Sequence, residues 1–185
     1  MPRSGAEARA RLREAALDLY EQRGYDATTT AQIAERAGLT ERTYFRHFAD
    51  KREVLFDGEA QLRDTMTGAI AAAPTDLPAA DLVKRAYTAS IPLFVAGRAV
   101  AVRRAHVIAT SAALRERADA KSSALIEALI AALVEHGVEP PAARLAARIG
   151  AAVFERAYGA WSGASADELE ALLTQAADQV RGLNW

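Results

Sequence analysis

The 185-residue sequence contains no cysteine, which excludes disulfides, thiolate catalysis and cysteine-ligated zinc. Its three histidines, His47, His106 and His136, are far apart, and no HExxH, GxSxG, Walker loop or dinucleotide fingerprint occurs. The residue inventory therefore points away from an enzyme, and no metal or cofactor is expected. No run of eighteen apolar residues is present, so no membrane-crossing helix is expected. The arginines at positions 3, 9, 11 and 13 precede no apolar core of the kind a secretory signal needs, which makes a cytoplasmic protein the expectation. Neither sign of charge dominates, with a net charge of −1. Residues 1–52 carry ten basic and eight acidic side chains, and residues 53–185 carry thirteen and sixteen. Attraction to a polyanion would have to come from local placement of cations, not from a bulk basic field.

Helix is what the composition favours. Aromatics are 6 % of the chain and glycine and proline are scarce beside abundant alanine, while sustained period-two alternation is missing. The most informative stretch is TTTAQIAERAGLTERTYFRHFADK, residues 28–51. Thr29 with Gln32 has capping-box spacing, and Ile33, Ala34 and Ala37 form an apolar stripe on a short helix. Gly38 tolerates the positive φ of a sharp turn, Leu39 plugs the corner, and Thr40 caps a second helix over 41–48. Tyr44 and Phe48 face inward from that helix, leaving Arg42, Thr43, Phe45 and Arg46 largely outward. Asp50 and Glu53 can cap a third. Two short helices about a glycine turn make a helix-turn-helix, which can set one helix in a DNA major groove.

The ordered pieces ALDLYEQRGYDATTT, IAERAGLT, ERTYFRHF and DKREVLF, between about Leu12 and Phe56, resemble the DNA-binding domain of the tetracycline-repressor-like (TetR) family of bacterial transcription regulators. The motif covers about a quarter of the chain; beyond it only length and helical character agree. The resemblance implies DNA-facing roles for Thr29, Thr30, Gln32, Thr40, Arg42, Thr43, Phe45, Arg46, His47 and Lys51. Arg42 and Thr43 lie in the turn that enters the groove and are the base-edge candidates. Arg46, His47 and Lys51 are candidates for the phosphate backbone. The family often has tyrosine, whose hydroxyl commonly meets a phosphate, where this chain has Phe45. Phe45 cannot make that bond and would pack against a sugar or a thymine methyl.

The pattern predicts helices over 5–23, with Ser4 and Glu7 as a capping box, and from Asp50 to about Ala72. That second helix would be roughly 34 Å long at about 1.5 Å per residue, reaching from a head into a body. PTDLP, residues 74–78, breaks the chain. Further helices are expected over 79–96, 98–111, 112–136, 142–162 and 165–182. The expected fold is all-α: a helix-turn-helix head in residues 1–50 joined by the long helix to a helical body in residues 51–185, about nine helices in all.

Pro92 inside an apolar helix should bend it, and bent helices leave gaps. Met66, Tyr87, Phe94, Arg103, His106, Phe154, Tyr158 and Trp161 are the candidate lining of a ligand pocket; alternatively these residues simply fill a core. The resemblance implies a ligand-responsive body, and Arg103 beside His106 would suit an anionic or carbonyl-bearing ligand. Leu145, Ile149, Ala152 and Val153, with Leu169, Leu172, Leu173, Ala176 and Val180, recur at helical spacing. They pack either within the chain or, as the resemblance implies, in a four-helix interface of a homodimer. The reading is thus a DNA-binding regulator: a ligand-responsive repressor on a near-palindromic double-stranded operator, with an unidentified small-molecule effector and no membrane partner. Two alternatives remain at this point, an activator or constitutive regulator with a filled core, and a helical small-molecule carrier with a vestigial helix-turn-helix.

Overall fold

In a computed structural model, residues 5–183 are described, and among them every regular element is helical. The eight α-helices are α1 Gly5–Arg23, α2 Thr30–Arg36, α3 Glu41–His47, α4 Glu59–Ala71, α5 Ala79–Ala109, α6 Ala112–Glu135, α7 Pro140–Ala160 and α8 Ala166–Arg181, with a 3₁₀ turn at Glu53–Phe56 between α3 and α4. Ser4, the expected first cap, lies outside the described residues. The chain divides into two compact units, Met1–Glu59 with Ala99–Ala120, and Ala60–Arg98 with Lys121–Trp185.

The first unit is built on α1. Leu12, Ala16, Leu19 and Tyr20 form its buried stripe, onto which Ile33, Ala34, Tyr44 and Phe48 pack, together with Val54, Leu55 and Phe56. Val107 and Leu114 complete this core. The two short helices after α1 begin on the expected caps. Thr29 Oγ1 accepts from Gln32 N while Gln32 Oε1 accepts from Thr29 N, a closed capping box. Thr40 Oγ1 accepts from Thr43 N at 3.2 Å. Gly38 has φ +65°, a conformation L side chains rarely adopt, so the turn favours glycine; an added Cβ would also displace the Arg11 guanidinium. Arg11 donates to the Ala37 carbonyl and braces the same corner.

Two helix expectations fail. The single helix from Asp50 to Ala72 is broken, because Asp57 is extended and Gly58 turns the chain with φ +98°. Asp57 is held in that conformation by Arg9, at 2.6 Å, and Arg13, at 3.6 Å. Past this turn, α4 is only 13 residues long. Conversely, the two helices predicted over 79–96 and 98–111 are one, the 31-residue α5, which continues through Pro92 and Gly97. Pro92 is exposed, so the turn whose hydrogen bond it removes faces solvent, where water can satisfy the freed carbonyl.

The second unit packs α4, α6, α7, α8 and the first part of α5 around Met66, Ile70, Leu82, Val83, Leu129, Leu133 and Trp161. Ser165 caps α8 by accepting from Glu168 N, and the Glu168 carboxylate reaches back to Ser162 and Ala164. Helices α5 and α7 approach closely at Gly150, where an added Cβ would run into Val83 Cγ1. Overpacking of this kind costs about 1–3 kcal/mol, against about 1 kcal/mol gained in helix propensity. Gly150→Ala is therefore expected to lower the melting temperature, whereas in a Val83→Ala background the same change becomes stabilising. Paired thermal melts of the four chains check this.

Candidate nucleic-acid interface

Helix α3 is seven residues long, and its burial pattern decides what it offers. Tyr44 is fully buried, its hydroxyl donating to the Asp50 carbonyl at 3.1 Å and its ring tilted on Phe48 at 5.6 Å. At about 100° per residue, Glu41, Phe45, Arg42 and Arg46 then fan around the helix at about 60°, 100°, 160° and 200° from Tyr44. All four are exposed. Arg42 and Arg46 lie most nearly opposite Tyr44, with Phe45 on the flank and Glu41 closer to the buried side. Arg42 and Arg46 have no side-chain partner among the described residues, so both guanidinium groups stand ready for one. Phe45 is 53 % exposed, its ring set edge-on to Tyr44 at 5.6 Å.

The neighbouring candidates are placed differently. Thr43 is half-buried at the flank of the fan, its hydroxyl 3.0 Å from that of Thr40. Thr30 donates to Glu41 Oε1 at 2.5 Å, joining α2 to α3. Thr29, Gln32 and Thr40 serve as caps. Glu41, the partner of Thr30, was not singled out by the sequence, because no local pattern distinguishes it from a solvated helix acid.

Two of the expected phosphate-facing residues turn inward. Lys51 Nζ donates to the carbonyls of Tyr25 at 3.0 Å and Thr28 at 3.2 Å, and lies 4.1 Å from the Tyr25 ring centroid. Tyr20 in turn donates to the Lys51 carbonyl at 2.5 Å. Lys51 is thus a tie between the α1–α2 loop and the segment after α3, and it does not point outward as a free cation. His47 is half-buried against Gly5, and its Nε2 is buried without a hydrogen-bond partner. Burial, then the charges of Arg46 and Arg9, hold its pKa below the ordinary histidine value, with Asp57 opposing.

Arg103 and His106 also leave the places expected of them. Arg103 belongs to the first unit, where its guanidinium meets Glu14 at 2.9 Å, Asp18 at 2.7 Å and Glu21 at 2.7 Å. Hydrogen bonds from Arg36 and then Arg103 lower the pKa of Asp18, the Arg103 bond lowers that of Glu21, and Glu21 with Asp18 raises that of Arg103. It therefore anchors α5 to α1 and lines no pocket. His106 is exposed in the same unit.

The remaining pocket candidates do come together, in the second unit, but against one another. Tyr87 stacks on Phe154 at 4.8 Å, Phe94 lies 4.5 Å from Phe154, Phe154 stacks on Tyr158 at 5.3 Å, and Tyr158 meets Trp161 at 5.6 Å. Arg98 closes this ladder, 5.0 Å from the Tyr158 and Trp161 rings and bonded to the Trp161 carbonyl at 3.0 Å. Burial pushes the Tyr87 phenol up to about 12. Met66 is fully buried in the same core. A cleft of about 210 Å³ lies along the first part of α5, lined by Val83, Lys84, Tyr87, Ile149, Val153 and Val180 among others. On α7 and α8, Leu169, Leu173 and Ala176 are buried in their own unit and cannot serve an interface. Leu145, 62 % exposed, and Ile149, 38 % exposed, remain outward with Ala152, while Val153, Leu172 and Val180 are half-buried.

Residues 12–57, which hold the whole of this corner, match the family described as bacterial regulatory proteins, tetR family. The similarity to the tetR family is thus confined to the segment that carries the helix-turn-helix. It is 38 % identical over 66 residues to the HTH-type transcriptional regulator TcmR of Streptomyces glaucescens, a match covering 36 % of this chain and 29 % of that one. It is 48 % identical over 42 residues to the HTH-type transcriptional regulator YvkB of Bacillus subtilis, covering 23 % and 22 %. The matches thus span less than a third of either relative's length. The fatty acid degradation regulator FadR from Bacillus halodurans shares the fold along 95 % of both chains, with a TM-score of 0.56 and 15 % identity. The family and these relatives are regulators, not enzymes, and among the described residues no helix is long and apolar enough to cross a membrane.

The half-buried His47 generates a pH prediction. Its folded pKa lies below its unfolded value, so its contribution is intact above pH ~6.5 and is lost as pH falls, when the unfolded chain takes up the proton first. Stability is expected to drop from pH ~6.5 downward, ahead of the carboxylates. His47→Asn should flatten that part of the profile, as denaturant titrations between pH 7 and 5 would show.

Proposed function

We propose that this protein is a sequence-specific DNA-binding transcription regulator acting as a homodimer on a near-palindromic operator. The observation that carries this reading is the outward side of α3. Two free arginines and an exposed phenylalanine occupy one side of a short helix whose other side is locked into a core. Residues 1–50 form the reader in this proposal, and residues 51–185 the effector and dimer body. The regulator works in the cytoplasm as a repressor, by occupying a promoter. A two-fold dimer sets the half-sites about one DNA turn apart, roughly ten base pairs or slightly more. Supporting the dimer are the outward Leu145, Ile149 and Ala152, an apolar row that water would otherwise cover.

A small-molecule effector is proposed for the 210 Å³ cleft, supported by its apolar lining from α5, α7 and α8. Its occupation loosens DNA binding only to the extent that the effector prefers the non-binding state. The self-packed aromatic ladder favours a second reading, a regulator whose body is filled and which needs no effector.

Gel-shift titration against DNA flanking the protein's own gene tests the central claim, and absence of a complex even at low salt would overturn it. Arg42→Ala is expected to lose about 1–3 kcal/mol and sequence preference together, whereas Arg46→Ala weakens all sequences alike and flattens the salt dependence. Comparing specific with random duplex across a salt series separates the two roles. Leu145→Glu combined with Ile149→Glu is expected to yield a folded monomer by light scattering, with operator affinity sharply reduced.

A further inference from the structure

We propose that the cleft between α5, α7 and α8 takes a small amphipathic carboxylate, its apolar body inside the cleft and its carboxylate on Lys84. The proposal rests on the reading of this cleft as an effector site and deepens it by assigning the chemical class of the ligand and the group that holds its head.

The cleft is apolar at its floor and charged at its rim. Val83, Tyr87 and Leu173 line it and are almost wholly buried. Asp81, Lys84 and Arg181 line it too, and all three are exposed. Helices α5 and α7 close together at Gly150, where the missing side chain admits Val83 and Tyr87. All of these residues belong to the second unit. A ligand with an apolar body and one polar end matches this gradient, since the body gains by leaving water while the end stays at the mouth.

Size and charge then narrow the class. At the roughly 30 Å³ that one water occupies in the liquid, the 210 Å³ cleft matches about seven groups of that size, and a methylene is comparable. The space is below the roughly 300–1,000 Å³ of sites for drug-sized ligands, so a short chain fits and a bulky polycycle does not. The sign of the head follows from what the rim already does. Arg181 is held by Asp178 at 2.5 Å. Lys84 makes no ion pair or hydrogen bond among the described residues, and its aliphatic stem can lie along apolar surface with the ammonium at the mouth. The Tyr87 hydroxyl likewise has no hydrogen-bond partner there, and burial keeps the phenol protonated by pushing its pKa up to about 12, so it can donate at neutral pH. An ammonium and a phenol without acceptors are matched by a carboxylate. Asp81 is the opposing charge. It lies in the first turn of α5, where the helix dipole already stabilises an acid, and so needs no cation from a ligand.

Isothermal titration of the full-length protein with octanoate, octan-1-ol, octylamine and acetate is the test. Octanoate is expected to bind roughly 10-fold more tightly than octan-1-ol, the equivalent of one charge-assisted hydrogen bond, octylamine more weakly than either, and acetate not detectably. Lys84→Met keeps the stem and removes the charge; it should bring octanoate down to the level of octan-1-ol and leave octan-1-ol unchanged. Val180→Trp crowds the cleft and should remove binding of both. Circular dichroism confirms that the variants fold, and the wild-type comparison alters only the ligand, so it stands even if a variant does not. Octanoate no tighter than octan-1-ol, octylamine the tightest, or an undiminished octanoate preference in Lys84→Met overturns the carboxylate assignment while leaving the effector cleft intact. Undiminished octanoate binding in Val180→Trp, or no binding by any octyl compound, overturns the effector cleft and this assignment together.

Discussion

Burial of Tyr44 is the constraint on which the helix-turn-helix depends. A seven-residue helix has too few internal hydrogen bonds to persist alone, so its orientation must come from one side chain driven into the core and tied there. Tyr44 does both, with a fully buried ring and a hydroxyl bonded to Asp50. Once that side is fixed, the 3.6-residue period dictates that Arg42, Phe45 and Arg46 face out together. The capping threonines at 29 and 40 set where α2 and α3 start, and Gly38 sets the turn between them. The exposed side of α3 is thus a consequence of what is hidden behind it.

Cations in the first unit divide by task according to what surrounds them. Lys51 and Arg103 are spent on structure. Lys51 is held by two carbonyls and an aromatic face, and Arg103 by three carboxylates of α1. Arg9 likewise neutralises Asp57 at the point where the chain breaks before α4. Exposed ion pairs of this kind contribute little each, but a guanidinium shared among several carboxylates restricts orientation more than a lone pair does. Arg42 and Arg46 escape such neutralisation. A chain with a net charge of −1 can therefore present a locally positive edge.

In the second unit the same amphipathic helices carry two apolar sides. On α8, Leu169, Leu173 and Ala176 are used up internally, whereas on α7 Leu145 and Ile149 are not. Helical spacing alone cannot separate these cases, because both sides repeat every three to four residues. The aromatic residues expected to line a pocket pack on one another, and of them Tyr87 also borders the cleft. Large flat rings close in sequence on facing helices gain more from stacking than from bordering a void.

Sequence alone determined the helical class, the caps at Thr29, Thr40 and Ser165, the Gly38 turn and the inward Tyr44 and Phe48. Each of these rests on interactions within about four residues, which spacing records directly. The break at Gly58, the continuous α5, the inward turn of Lys51 and the capture of Arg103 were decided only by the tertiary structure. Arg9 meets Asp57 across 48 residues and Arg103 meets Glu21 across 82, and nothing in either local segment announces the other. A charged side chain goes wherever folding leaves an opposite charge or a bare carbonyl, and that address exists only after the helices have packed.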